Sequence, residues 1–177
     1  MLPFEAYVRT YAAIFGGLAP LETQSALAGA DGTALFDAWS DYLGALGVPD
    51  HRYDTPRQDQ STALMLATFE RIGIALCDRT IEHDRAQLPK LVFDFDMPAV
   101  LDEGGFAKRV DGMHRTFLGY PLQLAPRART ERLRKLYEDV RTAHRAPDAG
   151  KSRFNPEEAG WAAVCYALVR HPEFHLY

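Results

Sequence analysis

Apolar positions along the chain recur at spacings of three and four almost throughout, the period of helices with one face turned inward. Phe4, Tyr7, Val8, Tyr11, Ile14 and Phe15 predict a first amphipathic helix ended by Gly16-Gly17, and Leu35, Phe36, Trp39, Tyr42, Leu43 and Leu46 a second ended by Gly47 and Pro49. Between them Pro20 to Ala28 adds a short helical stretch. Thr55-Pro56 reads as an N-cap followed by a first helical position, where proline gives up no needed donor, and opens a long helix reaching Asp84. Its middle (Leu64, Met65, Leu66, Phe69, Ile72, Ile74, Ala75, Leu76) is apolar nearly all round, which predicts a central, largely buried element with Gly73 at a close helix contact. Further helices are predicted over 103–118, with Phe106, Val110, Met113 and Phe117 inward, and over 127–146, with Leu133, Leu136, Tyr137 and Val140 inward.

The last helix has the clearest start. Asn155 is an N-cap whose side-chain oxygen can accept from an orphan backbone N–H, Pro156 occupies the first helical position, and Glu158 stands three residues after the cap as a capping-box partner would. Trp161, Val164, Cys165, Leu168 and Val169 then define an apolar face, until Pro172 removes a donor and ends the helix near Arg170. Only residues 87–101 break the helical period. Leu91 to Pro98 alternates apolar and polar, with no second strand to pair with, and reads as a structured linker anchored by Phe93 and Phe95. The predicted fold is all-α: a single irregular helical bundle of about six helices with one extended linker segment. It is organised as one domain over 1–177 or as two helical halves, 1–86 and 102–177, joined by linker 87–101.

A hydrophobic content of 47% with 11% aromatics supports a real core. No apolar run approaches the roughly 20 residues that span a bilayer, so no membrane span is expected. No basic segment, apolar stretch and cleavage site opens the chain, although a start directly into Leu2-Pro3-Phe4 fits a sequence trimmed at a domain boundary with a leader removed; the compartment is left open. Cys77 and Cys165 both fall within apolar helical patterns, where the favoured reading is a free thiol acting as a small hydrophobe and the alternative is a buried bridge between two helices.

Charge is unevenly distributed. Phe106 to Arg153 carries 12 Lys and Arg against 5 Asp and Glu, inside a chain whose net charge is −4. Arg127, Arg129, Arg132, Arg134, Lys135, Arg141 and Arg145 lie on one helix, yet Glu131, Glu138 and Asp139 interrupt them at spacings that allow pairing along it, so nucleic-acid binding is not expected.

Chemistry-bearing residues are sparse. His171 and His175, four apart, are the candidate metal ligands, although Pro172 interrupts the helix that would turn both imidazoles to one ion and no Glu follows His171 as in a zincin. Asp94, Asp96, Asp102 and Glu103 are the densest carboxylates, read as solvated loop groups rather than a Ca²⁺ or Mg²⁺ site. No histidine follows a Glu by three residues, as a di-iron bundle requires, and the chain has no Cys-x-x-Cys-His, Gly-x-Gly-x-x-Gly, P-loop or Gly-x-Ser-x-Gly motif. His83 with Glu82 and Asp84 offers general acid–base chemistry, against the plainer reading of a polar rim.

The succession His114-Arg115-Thr116-Phe117-Leu118-Gly119-Tyr120-Pro121, a basic helix, and then Trp161 through Cys165 to Arg170-His171-Pro172-Glu173-Phe174 resembles the terminal helices of uncharacterised planctomycete and myxobacterial proteins associated with cytochrome c modules. The resemblance spans only the C-terminal third. It implies an all-helical, extracytoplasmic module without assigned activity, in which Phe174 anchors under the bundle. The haem-attachment motif is absent, so no redox role carries over.

These readings favour a non-catalytic helical protein-interaction module that meets a protein partner through its charged surfaces. The alternative is a small-ligand, haem or metal-binding sensing domain whose pocket is lined by Trp39, Tyr42, Phe69 and Trp161, with His171, His175 or His114 as ligands. Third comes an enzyme using His83, His114 and nearby carboxylates; no cofactor is identified.

Overall fold

A computed structural model describes residues 10, 11, 13–15, 62–98, 102–146 and 152–176. Among the described residues the architecture is all-α, without strands: α1 (Ala63–Ala86), α2 (Glu103–Leu118), a 3₁₀ turn at Leu122–Leu124, α3 (Ala128–Arg145), α4 (Pro156–Val169) and α5 (Pro172–Leu176). Residues 10, 11 and 13–15 are also helical and bury Tyr11, Ile14 and Phe15. The helices predicted over Pro20 to Ala28 and Leu35 to Leu46 lie outside the described residues, as do Trp39, Tyr42 and the Thr55-Pro56 start. No described helix is long and apolar enough to cross a membrane.

Local chemistry sets the helix ends. Thr62, in extended backbone, accepts the Met65 N–H at 3.1 Å and begins α1, so this helix does not run on from Pro56. Asp102 accepts from the Gly105 N–H at 2.7 Å to begin α2, which ends at Gly119 with φ 76°, a left-handed position that glycine takes without strain. The capping box of α4 is complete: Glu158 N–H donates to Asn155 at 2.8 Å and Asn155 N–H donates to Glu158 at 3.0 Å. Pro172 does more than end that helix. It occupies the first position of the short α5, which turns Phe174 into the core against Tyr11 and Phe117.

The central element is α4 rather than α1. Every residue from Glu158 to Cys165 is buried, and so are Leu168 and Val169, whereas the first turns of α1 leave Leu64 and Leu66 exposed. Small side chains make this possible. A Cβ on Gly160 would lie 2.6 and 2.7 Å from the Tyr137 ring and 3.0 Å from the Tyr137 carbonyl oxygen, so α3 packs directly on the α4 backbone there. On the other side α1 runs antiparallel to α4. Glu70 pairs with Arg170, Gly73 packs on Val169, Cys77 meets Cys165 and Arg85 reaches Glu158, each step along α1 answered by a step back along α4.

That antiparallel register overturns the free-thiol reading of the cysteines. Cys77 and Cys165 form a disulfide, with Cα atoms 6.0 Å apart, within the range a bridge requires. It joins the described part of 1–86 covalently to 102–177. Beside it Asp78 accepts hydrogen bonds from Tyr166 and Arg153. Burial pushes the Asp78 carboxyl up to about 6 against the pull of Arg153.

The linker keeps its anchored character, with Phe93 fully buried and Phe95 packed on Trp161. Its anchor is also polar: the buried Asp84 carboxylate accepts the backbone N–H groups of Leu91, Val92 and Phe93 at 2.9, 3.0 and 2.7 Å.

The bridge spans 88 positions in sequence, so loop-closure entropy sets a ceiling near 4.5 kcal/mol on its stabilisation. We predict that the Cys77→Ala/Cys165→Ala protein loses roughly 2–4 kcal/mol in urea unfolding, and that the unreduced wild-type protein, unfolded, shows no thiol reactive toward Ellman's reagent. Two reactive thiols would contradict the pairing.

Candidate functional site

The described polar groups converge most densely where the end of α2, the start of α3 and α5 meet. Near the end of α2 His114 is fully buried, with its Nδ1 2.7 Å from the Tyr120 carbonyl oxygen and its Nε2 2.9 Å from Arg129 Nη1. A carbonyl accepts and a guanidinium donates, so the His114 proton sits on Nδ1 and the Nε2 lone pair faces Arg129. Arg129 also donates to the Tyr120 hydroxyl at 2.6 Å and to Glu173 at 2.8 Å, and Tyr120 in turn donates to Glu173. Four side chains, from three helices and the turn after α2, are thereby closed on one another.

The electrostatics follow from this closure. Arg129 beside it, and then the Tyr120 hydroxyl, hold the Glu173 carboxyl down at about 2 from an ordinary 4.5. Glu173 in return raises Arg129, while burial and then Glu173 raise Tyr120. His171 is pushed below the usual imidazole range by burial first and the Arg129 charge second.

The two histidines expected as metal ligands sense each other, His171 being the smallest of the causes acting on His175, and each has a backbone partner of its own. His171 Nδ1 accepts the Glu173 backbone N–H at 3.2 Å, which leaves the ring proton on Nε2. His175 packs edge-on against Phe174, is lowered by burial, and is held by the Val169 backbone. Among the described residues no group of three or more His, Cys, Asp or Glu side chains is placed to hold a metal ion. The carboxylates around the linker diverge: Asp102 caps α2, Glu103 lies 3.9 Å from Arg134, and Asp94 and Asp96 are exposed.

The His83 cluster is brought together only in part. His83 Nδ1 lies 3.0 Å from Asp84, but that carboxylate is occupied by three linker N–H groups, and Glu82 turns away to Arg79 and Arg153. It is a joint between α1 and the linker.

Two depressions flank the first turn of α3, which has no side-chain cap. Between α2 and α3 an open groove of about 510 Å³ is lined by Lys108, Asp111, Gln123, Arg127 and Thr130, with the Asp111 carboxylate taken up by Arg115 and the Leu122 N–H. On the opposite flank a smaller, more enclosed cavity of about 220 Å³ is lined by Arg129, Arg132, Leu133, Ala167, Leu168 and His171. The rest of the basic helix is neutralised. Arg134 faces Glu103, Lys135 pairs with Asp139, Arg141 with Glu138 and Arg145 with Glu157. Lys108, Arg127 and Arg132 make no such pair among the described residues.

Sequence reasoning missed the network on Arg129 because its partners lie 15 and 44 positions away. A signal did exist at Asp84: a carboxylate in the last turn of a helix opposes the dipole and calls for compensating donors, which the linker supplies. Comparison with family models, curated proteins and solved structures found no match to the chain.

Because the folded-state pKa of Glu173 is depressed, its pairing stabilises fully above pH 4.5 and is lost as pH falls toward 2. Glu173→Gln is expected to be less stable than wild type at pH 6, with the gap closing across that window in urea titrations. A gap that does not change with pH would show that the carboxylate charge does not hold the network.

Proposed function

We propose that the chain is a non-catalytic helical recognition module that binds an acidic protein partner through the groove between α2 and α3. One observation supports this most. From Arg127 to Arg145 every Lys and Arg has a carboxylate partner except Arg127 and Arg132, and Arg127 shares its groove with the equally unpaired Lys108. On α3 the two unneutralised arginines lie in its first two turns, at the positive end of a helix that has no side-chain cap. Gln123 and Thr130 add neutral donors to the same groove.

Internal closure of the polar clusters favours recognition over catalysis. His114 has both ring nitrogens engaged and Asp84 is held by the linker backbone, so each is committed to holding the bundle together. The electrostatic share of such binding steers encounter and weakens with salt.

Selection of peptides from a random displayed library is expected to enrich Asp- and Glu-rich sequences. Binding of the enriched peptides should weaken about tenfold or more in the Lys108→Glu/Arg127→Glu protein and fall as salt is raised. Enrichment of basic or purely apolar sequences, or equal binding by the charge-reversed protein, would overturn the reading.

A further inference from the structure

We propose that the cavity between α3 and α4, on the flank of α3 away from the groove, is a binding site for a small apolar monocarboxylate. Its lining is mixed in chemistry. Leu133, Ala167 and Leu168 contribute apolar side chains, with Leu168 and Leu133 almost wholly buried, and Arg132 and His171 contribute donors. A lining of apolar groups with a few donors selects a molecule built the same way.

The donors are specific. Arg129 lines the cavity too, but Glu173, Tyr120 and His114 already take up its guanidinium. Arg132 has no carboxylate partner among the described residues and supplies the fork geometry that a carboxylate matches. His171, whose Nδ1 accepts from the Glu173 N–H, keeps its Nε2–H as a second donor. Together they provide one unneutralised positive charge and one neutral donor, which suits a single negative charge better than a doubly charged anion.

Size narrows the class. A cavity of about 220 Å³ holds the equivalent of about seven water molecules. That admits a linear acid of four to six carbons and excludes a haem, a nucleotide or a long-chain lipid.

The site is separate from the acidic-partner groove, so the two readings fail independently. The test is calorimetric or NMR titration of the whole protein with sodium hexanoate, hexanamide and inorganic phosphate. Hexanoate should bind at least tenfold more tightly than hexanamide, which lacks the charge, and than phosphate, which lacks the tail. Arg132→Gln changes an exposed side chain and should weaken hexanoate about tenfold without loss of fold; Ala167→Phe should fill the cavity and abolish binding. Lys108→Glu/Arg127→Glu should leave hexanoate binding within about threefold. The proposal is overturned if hexanoate does not bind at millimolar concentration, if phosphate or hexanamide binds as well, or if neither cavity variant changes the affinity of a protein that remains folded.

Discussion

Burial of α4 on every side is the constraint to which the other described elements answer. Its start is closed by the Asn155–Glu158 box, and because Glu158 is itself buried, that carboxylate is met by Arg85 from α1. Its neighbours must approach closely, which only small side chains permit. Gly160 admits Tyr137 of α3, and Gly73 of α1 admits Val169. Trp161 is the exception in size, and its Nε1–H is buried without an acceptor among the described residues, an arrangement that costs about 1–3 kcal/mol. Contacts with Phe95, Phe106 and Tyr137 at centroid distances of 4.8, 5.4 and 4.9 Å enclose the ring and offset that cost.

Around this core the buried polar groups act as ties between segments distant in sequence. Asp84 holds the linker by its backbone, Asp78 joins α1 to Tyr166 of α4 and to Arg153, and Arg129 joins α3 to α2 and α5. The ties differ in electrostatic balance. Glu173 meets an arginine and a hydroxyl and is stabilised as a carboxylate, whereas desolvation outweighs Arg153 at Asp78, whose charged form is disfavoured. The disulfide fastens the α1–α4 contact one residue from Asp78.

Whatever depended on local spacing was legible in the sequence. The Asn155 capping box, the α2 boundaries at Glu103 and Leu118, and the inward Phe106, Val110, Met113 and Phe117 all follow from backbone donors and helical period. Two things were not. Periodicity ranks burial by large apolar residues, so it favoured α1, with Leu64 and Leu66, over α4, whose Ala159, Gly160, Ala162 and Ala163 look bland and yet are what lets neighbours close in on all sides. Pairings across the fold were also hidden. Nothing near Cys77 announces that an antiparallel crossing brings Cys165 to it, and nothing near Arg129 points to Glu173. The basic helix was legible in part: its internal pairing was visible in spacing, but which cations remain unpaired depends on Glu103, Glu157 and Glu173 from other elements.

The position of α5 explains why the two flanks of α3 differ. Phe174 fixes this short helix to Tyr11 and Phe117, and Glu173 fixes it to Arg129, so His171 is held at both its backbone and its Nδ1. These contacts fix the position of His171, which lines the cavity beside α3 and α4. Among the described residues no such element covers the opposite flank, where Lys108 and Arg127 line an open groove. A partly apolar cavity discriminates by size and charge together, while an open groove with a polar lining discriminates chiefly by charge; that difference in shape separates the two binding chemistries proposed for this end of the bundle.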